Sequence, residues 1–397
     1  MRFLKFAFVT ILASLAVQAD EGQIPEPFRG QTSGSPIEIN YDDWSFILRN
    51  TVIGAPGSKR GTALRGTQGA PTGSRLSSRN KSDTRNEGNR INLKVLAQEK
   101  NLSDLTNIRQ SLERVPADVL MKHWKKDEQL AYWLNLYNVT LIEHLAKEYP
   151  FRKLRKLKRA KDGIWVQKLL NVAGVPLSLN DIQHTILPNK WDTTLFMYGL
   201  FQGYIGGPSI QKMAFTGQNV NQLLARSARE FVNSNRGMKA RGNTLKVSEF
   251  FKENAALFPD WQNDIKEHIT GLSKRNMKAV VQNTSKIKTL RMDYNTTDLF
   301  GGGRVEFIAQ SNNPAALLFS NSGESDNGDG GIGYSGDSAS TSILSFQNRS
   351  VNEPNLSRLP AASREYLINM QRQNALREGE VEIEPVEKKV QNDGSER

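Results

Sequence analysis

The sequence predicts an α+β fold, a helix-dominated core with a small antiparallel sheet. Three observations carry that expectation. Asp127 to Glu148 places Leu130, Trp133, Leu136, Tyr137, Leu141 and Leu145 around nearly every face, the pattern of a helix buried at the centre of a core. Two segments, Trp165 to Leu179 and Asn235 to Val247, read as hairpins turning at Ala173-Gly174 and at Gly242-Asn243. Residues 54–86, rich in Gly, Ser, Thr and Arg, and 320–341, made of Ser, Gly, Asp and Asn, have few aliphatics, so they cannot join a core.

In chain order, Met1 to Ala19 has the parts of a secretory signal peptide. Arg2 and Lys5 precede the uncharged stretch Phe6 to Val17, and Val17-Gln18-Ala19 offers small residues before Asp20. That stretch is shorter than the roughly 20 apolar residues a spanning helix needs. Residues 20–53 form an N-terminal extension with a short amphipathic helix over Tyr41 to Thr51, and 54–88 a basic flexible linker. A globular domain is expected over 89–300. Ile91, Leu93 and Val95 alternate as a strand would, although Leu93 to Leu105 also fits a helix.

Pro150 should end the long helix. Ser178-Leu-Asn-Asp181 matches a capping box whose helix should stop at Pro188, and Thr216 should cap a second helix carrying Leu223, Leu224 and Phe231 inward. Helical segments follow over 248–270 and 274–282. Residues 301–397 read as largely disordered, with one exposed helix over Ala361 to Arg377 and a charged tail.

Basic residues outnumber acidic ones 53 to 41, for a net charge of +12. The excess is concentrated in 54–92 and in the run Arg152 to Lys161, which contains no acid. A signal peptide implies a periplasmic or secreted protein. There the fitting anionic partners are lipid head groups, surface polysaccharide or wall polymers rather than a genome, although a basic run is most often a solvated surface. The chain has no cysteine, which excludes disulfides, a thiolate nucleophile, a lipid-anchoring cysteine and any Cys-ligated metal.

Three segments, Gln129 to Asn138, Leu177 to Leu187 and Ala214 to Asn219, together resemble the domain of unknown function 547, common in exported bacterial proteins. The likeness covers about 125–260, and the family brings no established activity. Many members carry Asn-Cys-x-x-x-Ser-Cys-Pro-Pro-Leu between the second and third motifs. Here the stretch is Phe201 to Ile210, which puts Gln202 and Gly207 at the cysteine positions. A distant kinship with papain-like and transglutaminase-like enzymes would then leave this chain without the nucleophile.

His184 follows Asp181 by three residues on a short helix, so a carboxylate could orient the imidazole as a general base requires. The competing role for Asp181 is the capping box, and for His184 a packed structural histidine. Asn135 and Asn138, one turn apart on the most apolar helix, must have buried partners, either neighbouring backbone or a ligand. Gly206 and Gly207 belong to a glycine cluster that lacks a phosphate-loop or dinucleotide pattern, so no nucleotide is implied. It forms either a tight turn or the wall of a pocket. Ser209 lacks the surrounding pattern of a serine nucleophile. The histidine spacings match no metal motif, and no metal or cofactor is expected.

Two readings stay open: a non-catalytic envelope module for an anionic polymer, peptide or protein, and a hydrolase or transferase using His184 without a cysteine.

Overall fold

In the computed structural model the described residues are 21–55, 58, 82–84, 86–151, 154–302 and 358–378. The expected signal peptide, most of the 54–88 linker, the 320–341 stretch and the charged tail lie outside them. The N-terminal segment enters through the turns Glu21–Gln23 and Glu26–Phe28 and reaches helix α1 (Asp42–Thr51). Ile24, Phe28, Ile37, Trp44 and Leu48 are buried in the same core as the centre of the chain. An extension that buries such residues contributes to the hydrophobic free energy of the whole core.

Strand β1 (Val52–Ile53) pairs antiparallel with β2 (Arg90–Ile91). The strand alternation does not continue past Ile91. Asn92 instead accepts a hydrogen bond from the Val95 nitrogen at 3.2 Å and starts helix α2 (Leu93–Leu96). An N-cap supplied by the side chain decides between the two patterns in favour of the helix. Helix α3 (Glu99–Asp118) follows and packs along α4 (Lys126–Lys147).

Every residue of α4 from Glu128 to Glu143 is buried, and the helix ends before Pro150. Its one fully buried carboxylate towards α3, Glu143, is held by Arg109, by Thr106 at 2.7 Å and by Lys147 at 2.7 Å. Burying a carboxylate without such partners would be prohibitive.

Helix α5 (Leu154–Arg159) leads to the hairpin of β3 (Leu170–Val172) and β4 (Val175–Leu177). Its turn residues Ala173 and Gly174 have φ of 48° and 80°, the left-handed pair a two-residue hairpin turn demands. The Ser178–Asp181 capping box forms and opens α6 (Leu179–Asp181).

The helical path does not stop at Pro188. It widens into a π turn over Ile182–Ile186 and continues as α7 (Leu187–Lys190). The proline falls in the first turn of α7, where its missing N–H removes no helical bond. A turn Thr194–Gly199 precedes α8 (Val220–Val232). The start of α8 also differs from expectation. Thr216 and Asn219 exchange hydrogen bonds of 2.9 and 3.2 Å and close the turn ahead of the helix.

The second hairpin is β5 (Met238–Arg241) with β6 (Thr244–Ser248). Helices α9 (Glu249–Glu253), α10 (Trp261–Leu272) and α11 (Arg275–Gln282) then carry the chain to β7 (Lys286–Leu290). β7 pairs with β6 in parallel, so this three-stranded sheet is mixed rather than purely antiparallel. The three intervening helices provide the long crossover that parallel pairing requires.

Helix α12 (Ala361–Glu378) begins against α1, where Arg358 binds Asp43 at 2.6 Å and Ser363 is buried. Among the described residues no helix is long and apolar enough to cross a membrane.

Candidate functional site

Four polar residues of α4 hold backbone. Glu128 accepts from the Ile39 and Gly217 nitrogens, each at 3.1 Å. Gln129 donates to the carbonyls of Gly30, Met121 and Trp124 at 3.0, 2.9 and 3.3 Å. Asn135 donates to the Phe215 carbonyl at 2.7 Å and accepts from the Phe215 nitrogen at 3.0 Å. Asn138 donates to the Gly199 carbonyl at 2.8 Å and accepts from the Phe201 nitrogen at 2.9 Å. Both amides are therefore spent in holding loop backbone, and Asn138 does not orient His184.

Tyr137 is different. It sits about half a turn round α4 from Glu128 and its hydroxyl joins a network made almost wholly of side chains. The hydroxyl accepts from Trp165 Nε1 at 3.2 Å and from Gln202 Nε2 at 3.1 Å, and donates to Gln183 Oε1 at 3.4 Å. Gln183 passes the chain on to Asn254 at 3.1 Å. Gln202 Oε1 accepts from Lys158 Nζ at 3.3 Å. Lys158 also donates to Tyr204 at 2.5 Å and to Glu253 Oε2 at 2.7 Å, and its ammonium lies 4.7 Å from the centre of the Tyr204 ring. Tyr204 donates to Glu253 at 3.2 Å.

Burial lowers the Lys158 pKa, and Glu253 acts to raise it. Burial raises that of Tyr204, with Glu253 adding to the rise.

His184 lies in the π turn, a helical irregularity often found at functional sites. Its side chain is exposed and makes no hydrogen bond to the described residues. Enough protein surrounds the ring to lower its pKa below 6.5, first through desolvation and then through Lys158, while Glu253 works in the opposite direction. The expected Asp181–His184 pair does not form. Asp181 Oδ2 accepts from the Ser178 nitrogen and hydroxyl, each at 2.6 Å, and from Lys168 at 2.5 Å. The capping box consumes the carboxylate, as its competing role implied.

Gly206 and Gly207 are close-packing positions. A Cβ on Gly206 would come within 2.6 Å of the Asp293 nitrogen, and the glycine donates to the Asp293 carbonyl at 2.8 Å. A Cβ on Gly207 would press on Gln202 at 3.1 Å and on Tyr204 at 3.2 Å, so this glycine makes room for the network. Ser209 is bound up with Arg236 and Glu230 at 3.2 Å each.

Of the residues named from sequence, Gln202 and His184 belong to one region. Asn135, Asn138, Gly206 and Asp181 serve the fold, and Gly207 makes room beside Gln202 and Tyr204. Sequence reasoning took Lys158 only as part of the basic run Arg152 to Lys161, and missed Glu253, Tyr204, Tyr137 and Gln183. Lys158 carried a usable signal: the buried Leu154 lies four residues earlier, on the same helix face.

The chain folds as an α+β domain in which a central helix, buried from Glu128 to Glu143, organises loops on one side and a titratable side-chain network on the other. Residues 121–232 match the model of a family described as "Protein of unknown function, DUF547". No curated protein matches the chain. No solved structure matches it either.

Proposed function

We propose that the chain is a non-catalytic binding module, exported to the cell envelope, that takes an anionic or peptide partner. The observation that carries this reading is the state of Gln202. It stands where the resemblance to domain of unknown function 547 implies a cysteine, it is 1% exposed, and its amide is engaged by Tyr137 and Lys158. An amide so bonded is no nucleophile, and the lysine beside it is held by Glu253. With its polar centre so engaged, the domain offers its basic surface, rather than a nucleophile, to a partner. Titration of the chain with poly-L-glutamate, followed by mass analysis of the peptide, tests this. Binding with the peptide left intact is the expected result. Cleavage that disappears in His184→Ala would replace this reading with the hydrolase.

One observation favours that second reading. His184 is exposed, free of hydrogen bonds to the described residues and close enough to Glu253 for the carboxylate to raise its pKa. Glu253, not Asp181, would then be its orienting group. Export is tested separately: mass spectrometry of the secreted protein should find Asp20 at its N-terminus, and an intact Met1–Ala19 would overturn the localisation.

A further inference from the structure

The strands β5, β6 and β7 place five cations on one face. Registration sets Lys239 beside Lys246 and Lys246 beside Lys288, so three lysines form a row straight across the sheet. The next row is Arg241, Thr244 and Lys286. Side chains alternate along a strand, so these residues share the outer face while Met238, Leu245 and Val247 enter the core from the other. No strand of the sheet contains an acid. Lys239 is paired with Asp83. Arg241, Lys246, Lys286 and Lys288 are exposed and have no ion-pair partner among the described residues.

Like charges directly opposite each other weaken a sheet. Lysines on edge strands have an ordinary explanation, since they discourage pairing with another chain. That explanation covers β5 and β7 but not β6. Lys246 lies on the central strand, has no edge to guard, and is flanked by a lysine on both sides.

We infer that this face is a docking surface for a linear acidic polysaccharide. The inference rests on the reading that the chain binds an anionic partner, and names a place and a chemistry for it. Neighbouring strands are about 4.8 Å apart and alternate residues about 6.8 Å apart, so the two rows form a grid of positive charge that a polymer with regularly repeated carboxylates can follow. The strands hold no aromatic side chain, the platform on which unpaired bases stack. The face has no apolar centre to enter a bilayer, its one large apolar residue being the half-buried Leu290 at the end of β7.

The test uses the full mature chain and polygalacturonate as probe. Binding should weaken steeply with salt. The triple variant K246Q/K286Q/K288Q should lose about tenfold or more in affinity and show a shallower salt dependence. It should melt no lower than the wild type, because repulsion has been removed. K156Q/K161Q, which alters two exposed lysines in and just after α5, should bind as the wild type does. Affinity lost in K156Q/K161Q and kept in the sheet variant would overturn the sheet assignment while sparing an anionic partner. No binding of polygalacturonate by the wild type would overturn the polysaccharide, while the poly-L-glutamate titration decides separately whether an anionic partner binds at all. Single-stranded DNA or phosphatidylglycerol vesicles bound more tightly than polygalacturonate, with the same dependence on the three lysines, would overturn the polysaccharide.

Discussion

Asn138 and Tyr137 are neighbours in sequence on the same buried helix, yet they belong to different kinds of polar interior. The Asn138 side of α4 pairs amides and a carboxylate with main-chain N–H and C=O groups, whose positions the fold itself determines. The Tyr137 side pairs side chains with other side chains, including an ammonium, a carboxylate and two phenols. Main-chain partners do not titrate and cannot rotate away, so the first arrangement braces. The second can change protonation or rearrange, and it is the one that lies beneath the exposed histidine. Buried polarity therefore does not by itself mark a functional site; the nature of the partner does.

The apolar packing common to both sides gives the largest expected effect. Trp133 is fully buried, with its ring 4.9 Å from Phe28 and 5.1 Å from Tyr132. Trp133→Ala should cost about 3–5 kcal/mol through lost burial and a cavity. In a protein with a margin of about 5–15 kcal/mol, thermal melts should show most of the stability gone. A melting temperature within a degree or two of wild type would remove α4 from the centre of the core.

The bracing side is tested next by Asn138→Leu. The substitution orphans the Gly199 carbonyl and the Phe201 N–H, at about 1–3 kcal/mol for each group that finds no water. A chemical denaturation curve unchanged from wild type would show that this amide braces nothing.

On the network side, Glu253→Gln leaves the half-buried Lys158 without its counter-charge. The cost should fall between the about 1 kcal/mol of an exposed pair and the about 3–5 kcal/mol of breaking a buried one. The same variant should lower the His184 pKa further, because Glu253 raises it, whereas Lys158→Gln should move it back towards 6.5. NMR titration of the ring protons reads both shifts. If neither variant moves His184, the network and the histidine are separate features.

The last test concerns pH. Burial raises the Glu128 carboxyl to about 7 in the fold, against the backbone hydrogen bonds that lower it. The folded state thus binds this proton more tightly than the unfolded chain, whose carboxyl titrates near 4.3. The resulting stability is fully present below that pH and fades as pH rises towards 7. Glu128→Gln should flatten this part of the melting-temperature profile. An unchanged slope would exclude Glu128 as its source.

Much of the helical architecture was legible because its signals are local. The apolar surround of α4, the turn at Ala173-Gly174 and the Ser178–Asp181 capping box each depend on residues within a few positions of one another. The capping box also carried the reason why Asp181 is unavailable to His184. Pro188 misled because a proline ends a helix only where its N–H would have been used, and the π turn ahead of it moves that point.

The helix-dominated class, the buried helix, the two hairpins and the lack of any thiol all follow from composition and short-range pattern. Tertiary structure alone decided that Lys158 meets Glu253 across 95 residues, that β7 lies parallel to β6, and that Lys239, Lys246 and Lys288 stand in one row. These depend on how distant segments pack and in which register their strands pair. No local spacing encodes that geometry, because it is set by the shape of the core both partners cover.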